Sequence, residues 1–176
     1  MISENATNGG GTTGSLVLCV LVSTNNGRAK LYMTLGLSGS GKSTWAMKQV
    51  LSRPPGDMVR IGKDSLRHSC HGGRVAGRTT EVQIERLRDV MIEAMLKMGV
   101  DVVNDDCNLF VGHEERMRQI AADCDAEFIL KDFTHVPVEE CIARDARRPG
   151  HAHVGREVIL REARDLARRP RYPSGE

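Results

Sequence analysis

No apolar run in this 176-residue chain approaches the roughly 18 residues that a membrane-spanning helix needs, so nothing in it reads as a bilayer span. The β-rich apolar stretch at residues 16–22 is far too short. Only Glu4 carries a side-chain charge ahead of it, and without a basic region upstream it does not read as a signal peptide. The five cysteines, Cys19, Cys70, Cys107, Cys124 and Cys141, are odd in number and contain no C-x-x-C pair. That excludes a paired redox motif and suits a reduced, intracellular protein. His68-Ser69-Cys70-His71 lacks a second ligand cluster at useful spacing, which argues against a metal site there. There is no guanine-reading N-K-x-D and no internal repeat. Net charge is also scarce, at +2. Its distribution is uneven: residues 144–171 hold nine arginines against four acids, a local excess of five, which leaves the remainder at −3. Arginine favours bidentate phosphate contacts. A solvated helix face is the alternative for any one of these arginines.

What the chain does contain is Gly36-Leu37-Ser38-Gly39-Ser40-Gly41-Lys42-Ser43, a match to G-x-x-x-x-G-K-[ST]. An apolar run at residues 31–35 precedes it as a buried strand, and a helical stretch at 44–51 follows. Strand, glycine loop and helix are the context in which this motif forms a phosphate cradle, a P-loop. The glycines let backbone N–H groups turn inward around phosphate oxygens, and the helix N-terminus adds partial positive charge. Residues 36, 38–41 and Thr44 make the nucleotide-binding surface. Lys42 is expected to reach the β- and γ-phosphates and Ser43 to ligate magnesium.

The length suits one domain. Residues 1–30 read as a non-core extension, with 1–15 disordered, and 16–22 either an extra edge strand or a non-structural segment. Residues 31–170 form the domain and 171–176 a tail. Pro54-Pro55-Gly56 breaks the chain before a second strand at 58–62. A glycine-rich stretch at 70–77 reads as a mobile loop. Thr80 and Gln83 fit a capping box, and Leu87, Val90, Met91, Ala94, Met95 and Met98 recur at helical spacing as its core face, closed by Gly99. Strands follow at 100–104 and 127–131. Helices follow around Met117 to Cys124, from Pro137, and over 156–168. Alternating strands and helices imply an α/β fold with a parallel sheet of about four to five strands flanked by helices. Ligands bind such sheets at the C-terminal strand ends, which gathers Lys42, Asp64 and Asp106 into one crevice.

Phosphoryl transfer needs a group that accepts the proton of the attacking hydroxyl. Asp64, past the second strand and expected beside the P-loop strand, is the candidate base; helix capping is its plainer role. Arg67, three residues on, shares its face. Asp106 is placed to hold magnesium waters or to orient Arg67, and Asp105 competes for either role. Arg144 and Arg148, four apart before Pro149-Gly150, lie on one face of what reads as a lid, where an arginine offsets transition-state charge.

The residues 35–46 resemble the P-loop of the phage polynucleotide 5′-hydroxyl kinases, including Thr44-Trp45-Ala46. Lys63-Asp64-Ser65-Leu66-Arg67 is similar to that family's Arg-Asp-Asp-Tyr-Arg, and Asp106-Cys107-Asn108-Leu109 to its Asp-Thr-Asn-Leu. The arginine-rich stretch 144–150 resembles its lid. The resemblance implies a P-loop kinase with a helical lid, Asp64 as general base, Arg67 on the acceptor's phosphate, and Arg148 on the donor phosphates. It implies ATP as donor with Mg2+, 5′-hydroxyl ends of RNA or DNA as acceptor, end repair as the role, and the cytoplasm (a host's, if phage-encoded) as the place. Lys63 departs from the family's arginine. The 3′-phosphatase domain of many relatives has no room in this sequence, which implies a kinase-only enzyme, and the extension has no counterpart. A homo-oligomer is compatible with the sequence. Two rivals stand beside this reading: a P-loop kinase for a hydroxyl of a small metabolite or drug, and a non-catalytic nucleotide-binding switch.

Overall fold

The computed structural model describes residues 27–74 and 77–170. The extension at 1–15, the apolar stretch 16–22 and the tail from residue 171 lie outside that range. The elements run β1 (Lys30–Leu35), α1 (Lys42–Leu51), β2 (Met58–Ile61), α2 (Lys63–His71), α3 (Arg78–Lys97), β3 (Asp101–Asn104), α4 (Val111–Asp123), β4 (Glu127–Asp132), α5 (Val138–Asp145), a 3-10 turn (Gly150–Ala152) and α6 (Arg156–Ala167). The four strands form one parallel sheet in the order β2-β3-β1-β4.

Successive strand residues face opposite sides, and each side has its own helices. Leu31 and Met33 of β1 and Val102 of β3 join Ile84, Ile92, Met117 and Ile120 in one cluster. On the other face Val103 and Met58 meet Ala46 of α1, with Tyr32 and Trp45 against them. A third cluster, Leu35, Leu37, Leu109, Cys141 and Ile159, seats α5 and α6 beside the loop after β1. Leu31 pairs with Val102 and Met33 with Asn104, so β1 and β3 end side by side.

Four expectations need correcting. The second strand is not the neighbour of the P-loop strand; β3 lies between them. All four residues of β3 are buried, which requires a strand on either side, and the long α2–α3 crossover returns the chain into that gap. The stretch 70–77 is not all loop: Cys70 and His71 complete α2, and residues 75–76 lie outside the described range. Thr80 is not a helix cap, because α3 starts at Arg78 with Gly77 at the N-cap and no capping side chain. Gly77, at φ 95°, brings the chain into the helix early, and its carbonyl accepts Glu81 N–H. The core face of α3 is Ile84, Arg88, Ile92 and Leu96, while Leu87, Val90, Met91, Ala94 and Met98 are exposed. Gly99 does close the helix: at φ 76° it donates to Leu96 O while Val100 N–H donates to Met95 O, a Schellman pair.

The two faces of α3 predict opposite mutational responses. Ile92 is 0% exposed and Val90 63%. Ile92→Ala is expected to cost about 2–5 kcal/mol in urea denaturation, and Val90→Ala less than about 0.5 kcal/mol. Equal losses would contradict the described face.

Candidate active site

The loop between β1 and α1 is held by its glycines. A Cβ on Gly39, at φ 86°, would lie 2.3 Å from the carbonyl oxygen of Cys141, so the loop passes directly against α5. Lys42, only 6% exposed, donates from Nζ to Leu37 O at 2.7 Å. Ser40 is buried and its Oγ has no partner among the described residues. From α5, Arg144 reaches back to Ser40 O at 3.3 Å and pairs with Glu140. Gly36 N–H donates to Cys107 O, which ties the start of the loop to the segment after β3. Thr44 sits apart from this centre, on the exposed side of α1 with Met47 and Leu51.

A cavity of about 370 Å³ opens along the C-terminal ends of the strands. Ser38, Lys42 and Ser43 line one end; Lys63, Asp64 and Arg67 of α2 line another; Asp105, Asp106 and His113 form the wall between, and Arg148 and Arg161 the lid side. The crevice read from the sequence is therefore assembled. A larger groove of about 940 Å³ lies along β4, α5 and α6. It holds neither Lys42 nor Asp64, both of which line the smaller one.

Asp64 is 94% exposed at the side chain and pairs with Arg67 one helical turn away. Arg67 is also gripped by Glu81 of α3, through Nε to Oε1 at 2.7 Å and Nη2 to Oε2 at 2.6 Å. That fork holds the guanidinium protonated above its ordinary range and the Glu81 carboxyl below its own. Asp106 has both carboxylate oxygens engaged: Oδ1 accepts Lys63 N–H at 2.8 Å, and Oδ2 faces Asn104 Nδ2 at 3.1 Å and Arg88 Nη1 at 3.4 Å. It does not bond Arg67. Asp105 is buried against Arg60 through Oδ2, and its Oδ1 has no partner among the described residues. Burial, and then Lys63 and Arg88, lower the pKa of His113; burial pushes the Cys107 thiol up.

The lid depends on Asp145, fully buried at the end of α5. Its carboxylate accepts Gly155 N–H at 2.9 Å and Val154 N–H at 3.2 Å, and faces His153 Nδ1 at 3.1 Å and Arg148 Nη1 at 3.4 Å. Arg148 is thereby steered to the cavity. Three acids escaped the sequence reading: Glu81, Asp145 and Glu162, the last of which accepts Ser38 N–H at 2.7 Å and Ser38 Oγ–H at 2.8 Å from α6. Glu81 and Glu162 carry no local signal of partners 14 and 124 residues away, and the spacing of Asp145 to Arg148 gives no sign of the Gly155 and Val154 amides that it also binds.

A family model described as an AAA domain matches residues 31–170. The chain belongs to that family. Among solved structures, this AAA-domain chain resembles a chain of the Pnkp1/Rnl/Hen1 RNA repair complex at TM-score 0.69 and 25% identity, covering 82% of this chain and 47% of that one. A chain from another structure of the Pnkp1/Rnl/Hen1 complex gives 0.60 and 28%, covering 68% and 40%. The APS kinase of Mycobacterium tuberculosis, in complex with AMPPNP and APS, gives 0.56 and 24%, covering 68% and 70%, a likeness of fold alone. This chain thus spans less than half the length of the two repair-complex chains. The resemblance to P-loop polynucleotide kinases is met by these neighbours, and the fold is that of a P-loop kinase, a nucleotide-binding phosphotransferase scaffold. No described helix is long and apolar enough to cross a membrane.

The Glu81 fork predicts a pH signature. A carboxyl depressed in the folded state stabilises the fold above the usual carboxylate range, and that stability is lost as pH falls through the lowered value. The stability gap between wild type and Glu81→Gln, followed by urea denaturation from about pH 7 to pH 3, is expected to be widest at neutral pH and to close at the acid end. A gap independent of pH would rule the fork out as its source.

Proposed function

We propose that this chain is a polynucleotide 5′-hydroxyl kinase, transferring the γ-phosphate of ATP to 5′-OH ends of RNA or DNA in end repair. The observation that carries the reading is the sharing of one cavity by Lys42 and Ser43 with Asp64 and Arg67. The first pair suits a donor triphosphate; the second offers an acid and a cation three residues apart, which suits an acceptor hydroxyl beside a phosphate. The repair-complex neighbours support it. An APS kinase shares the fold, so a small-molecule acceptor is the rival, and a switch without transfer the more distant one.

Lys42 and Ser40 would bind and orient the donor phosphates, with Lys42 moving from Leu37 O to the β- and γ-oxygens. Asp64 would take the proton from the attacking 5′-hydroxyl, and its exposure leaves it open to an incoming end. Arg67, kept charged and aimed by Glu81, would hold the acceptor's phosphate. Arg144 and Arg148 would offset charge on the phosphoryl group in flight. Magnesium fits the residues present: Ser43 lines the cavity, and Asp105, whose Oδ1 has no partner among the described residues, stands beside Asp106 to hold the water shell of the ion. When bound, the ion would neutralise phosphate charge. No covalent intermediate is needed.

The test is incubation with γ-labelled ATP, magnesium and a 5′-hydroxyl oligonucleotide. Label is expected on the 5′ end, none with Lys42→Ala, and turnover reduced on the order of 10²–10⁴ with Asp64→Asn while ATP still binds. Arg67→Ala should raise the oligonucleotide KM and leave that of ATP alone, with a bare nucleoside hardly affected. Steep salt dependence should accompany the oligonucleotide. If labelled product appears on a small hydroxyl compound and never on the oligonucleotide, the metabolite-kinase rival holds instead.

A further inference from the structure

Of the charged side chains in the cavity that the proposed mechanism does not use, Glu162 is the one bonded to the phosphate loop. Glu162, on α6, sets both carboxylate oxygens on a single residue of the phosphate loop: Oε2 on Ser38 N–H at 2.7 Å, Oε1 on the Ser38 hydroxyl at 2.8 Å. Cys107 Sγ lies 3.8 Å from Oε1 and 3.6 Å from Ser38 Oγ, and its thiol feels the charge of Lys42. The carboxylate therefore stands one side chain away from the lysine expected to meet the terminal phosphates.

A glycine-rich loop of inward-turned N–H groups is an anion receptor. Here its Ser38 end already holds an anion, supplied by the protein itself. The same helix carries Val158, Arg161 and Asp165 to the cavity. It begins at Arg156, directly after the Gly155 amide that Asp145 binds at the foot of the lid. Contact between Glu162 and Ser38 thus joins the lid to the loop by a bond that depends on charge.

We infer that Glu162 is a latch between α6 and the phosphate loop, and that it sets how the site weighs a triphosphate against a diphosphate. This rests on the reading of the loop as the donor site. On that reading a diphosphate would end at the β-phosphate beside Lys42, short of Ser38. A triphosphate adds a further anionic group beside Lys42, where it repels the Glu162 carboxylate in a partly desolvated space. Binding of the triphosphate then requires Glu162 to leave Ser38, and α6 moves with it, carrying Arg161. The latch taxes triphosphate binding and in exchange makes the position of the lid helix report on the presence of the γ-phosphate. Glu162 is a positioning residue in this account, not a catalytic one.

Calorimetric titration with AMPPNP and with ADP, both with magnesium, tests this without any turnover. Glu162→Gln keeps the shape, removes the charge and leaves one acceptor for two donors. It is expected to tighten AMPPNP binding about tenfold and to change ADP binding by less than about twofold. Ser38→Ala, which removes one anchor of the latch, should move the ratio in the same direction by less. A Glu162→Gln ratio equal to wild type, with binding still dependent on Lys42, overturns the latch and leaves the donor site standing. So does AMPPNP binding weakened more than ADP binding, since Glu162 would then be holding the triphosphate or its ion. Should Glu162→Gln fail to fold, Ser38→Ala with an unchanged ratio overturns it alone. A wild-type chain that binds neither nucleotide overturns the donor-site reading and the latch with it.

Discussion

Every distance in the cavity depends on how far the end of β1 stands from the end of β3, and a small knot of amide and hydroxyl bonds holds that spacing. Asn108 Nδ2 donates to Thr34 O and to Asn104 Oδ1, each at 2.8 Å. Thr34 Oγ1 lies 2.8 Å from Asp106 O and 3.2 Å from Asn104 O. Thr34, Asn104 and Asn108 are all buried, where an unmade hydrogen bond is expensive. Asn108 sits at φ 50°, a left-handed conformation that asparagine tolerates better than most residues. One side chain thus joins the strand that leads into the phosphate loop to the strand that presents the aspartates. Without it the sheet would still form, but the loop and the acids would have no fixed register beyond the strand ends.

The site is layered outward from that knot. Nearest are Lys42, held on Leu37 O, Asp105, buried against Arg60, and Asp106, held by Lys63 N–H, Asn104 and Arg88. Next comes Arg67, aimed by Glu81. Outermost is Asp64, exposed and, among the described residues, anchored through Arg67 alone. Order therefore falls from donor side to acceptor side. That gradient fits a nucleotide of fixed shape at one end and a long, variable chain entering from solvent at the other.

How much of this was legible in the sequence depended on whether the signal was local. The phosphate loop, its flanking strand and helix, and the Asp64–Arg67 pair are local, and they stood out. Strand positions followed from short apolar runs, but their spatial order did not, because adjacency of β3 to β1 is a property of crossovers and burial. On α3 the count of Leu, Val and Met misled. The true core face contains Arg88, whose guanidinium is satisfied by Asp89 at 2.8 Å and faces Asp106 at 3.4 Å. A buried arginine in mid-stripe breaks the apolar pattern and hides it. Glu81, Asp145 and Glu162 were invisible for a different reason: a carboxylate's role is set by what folds against it. Arg67 lies 14 residues from Glu81 and Ser38 124 from Glu162. Asp145, though Arg148 is three residues on, is bound most closely by the Gly155 amide ten residues away.

Arg169 carries a mechanical implication. Near the end of the described chain, it donates to Asn108 O at 2.8 Å and pairs with Glu114, buried at the start of α4. The carbonyl it holds belongs to the same asparagine that knots β1 to β3. Tension applied at residue 170, by whatever is joined there or by a partner that grips it, has a short route of two bonds to the register of the cavity. Arg169 works as a tether from the end of the described residues to the centre of the sheet, so that geometry at the strand ends is coupled to the segment that follows α6.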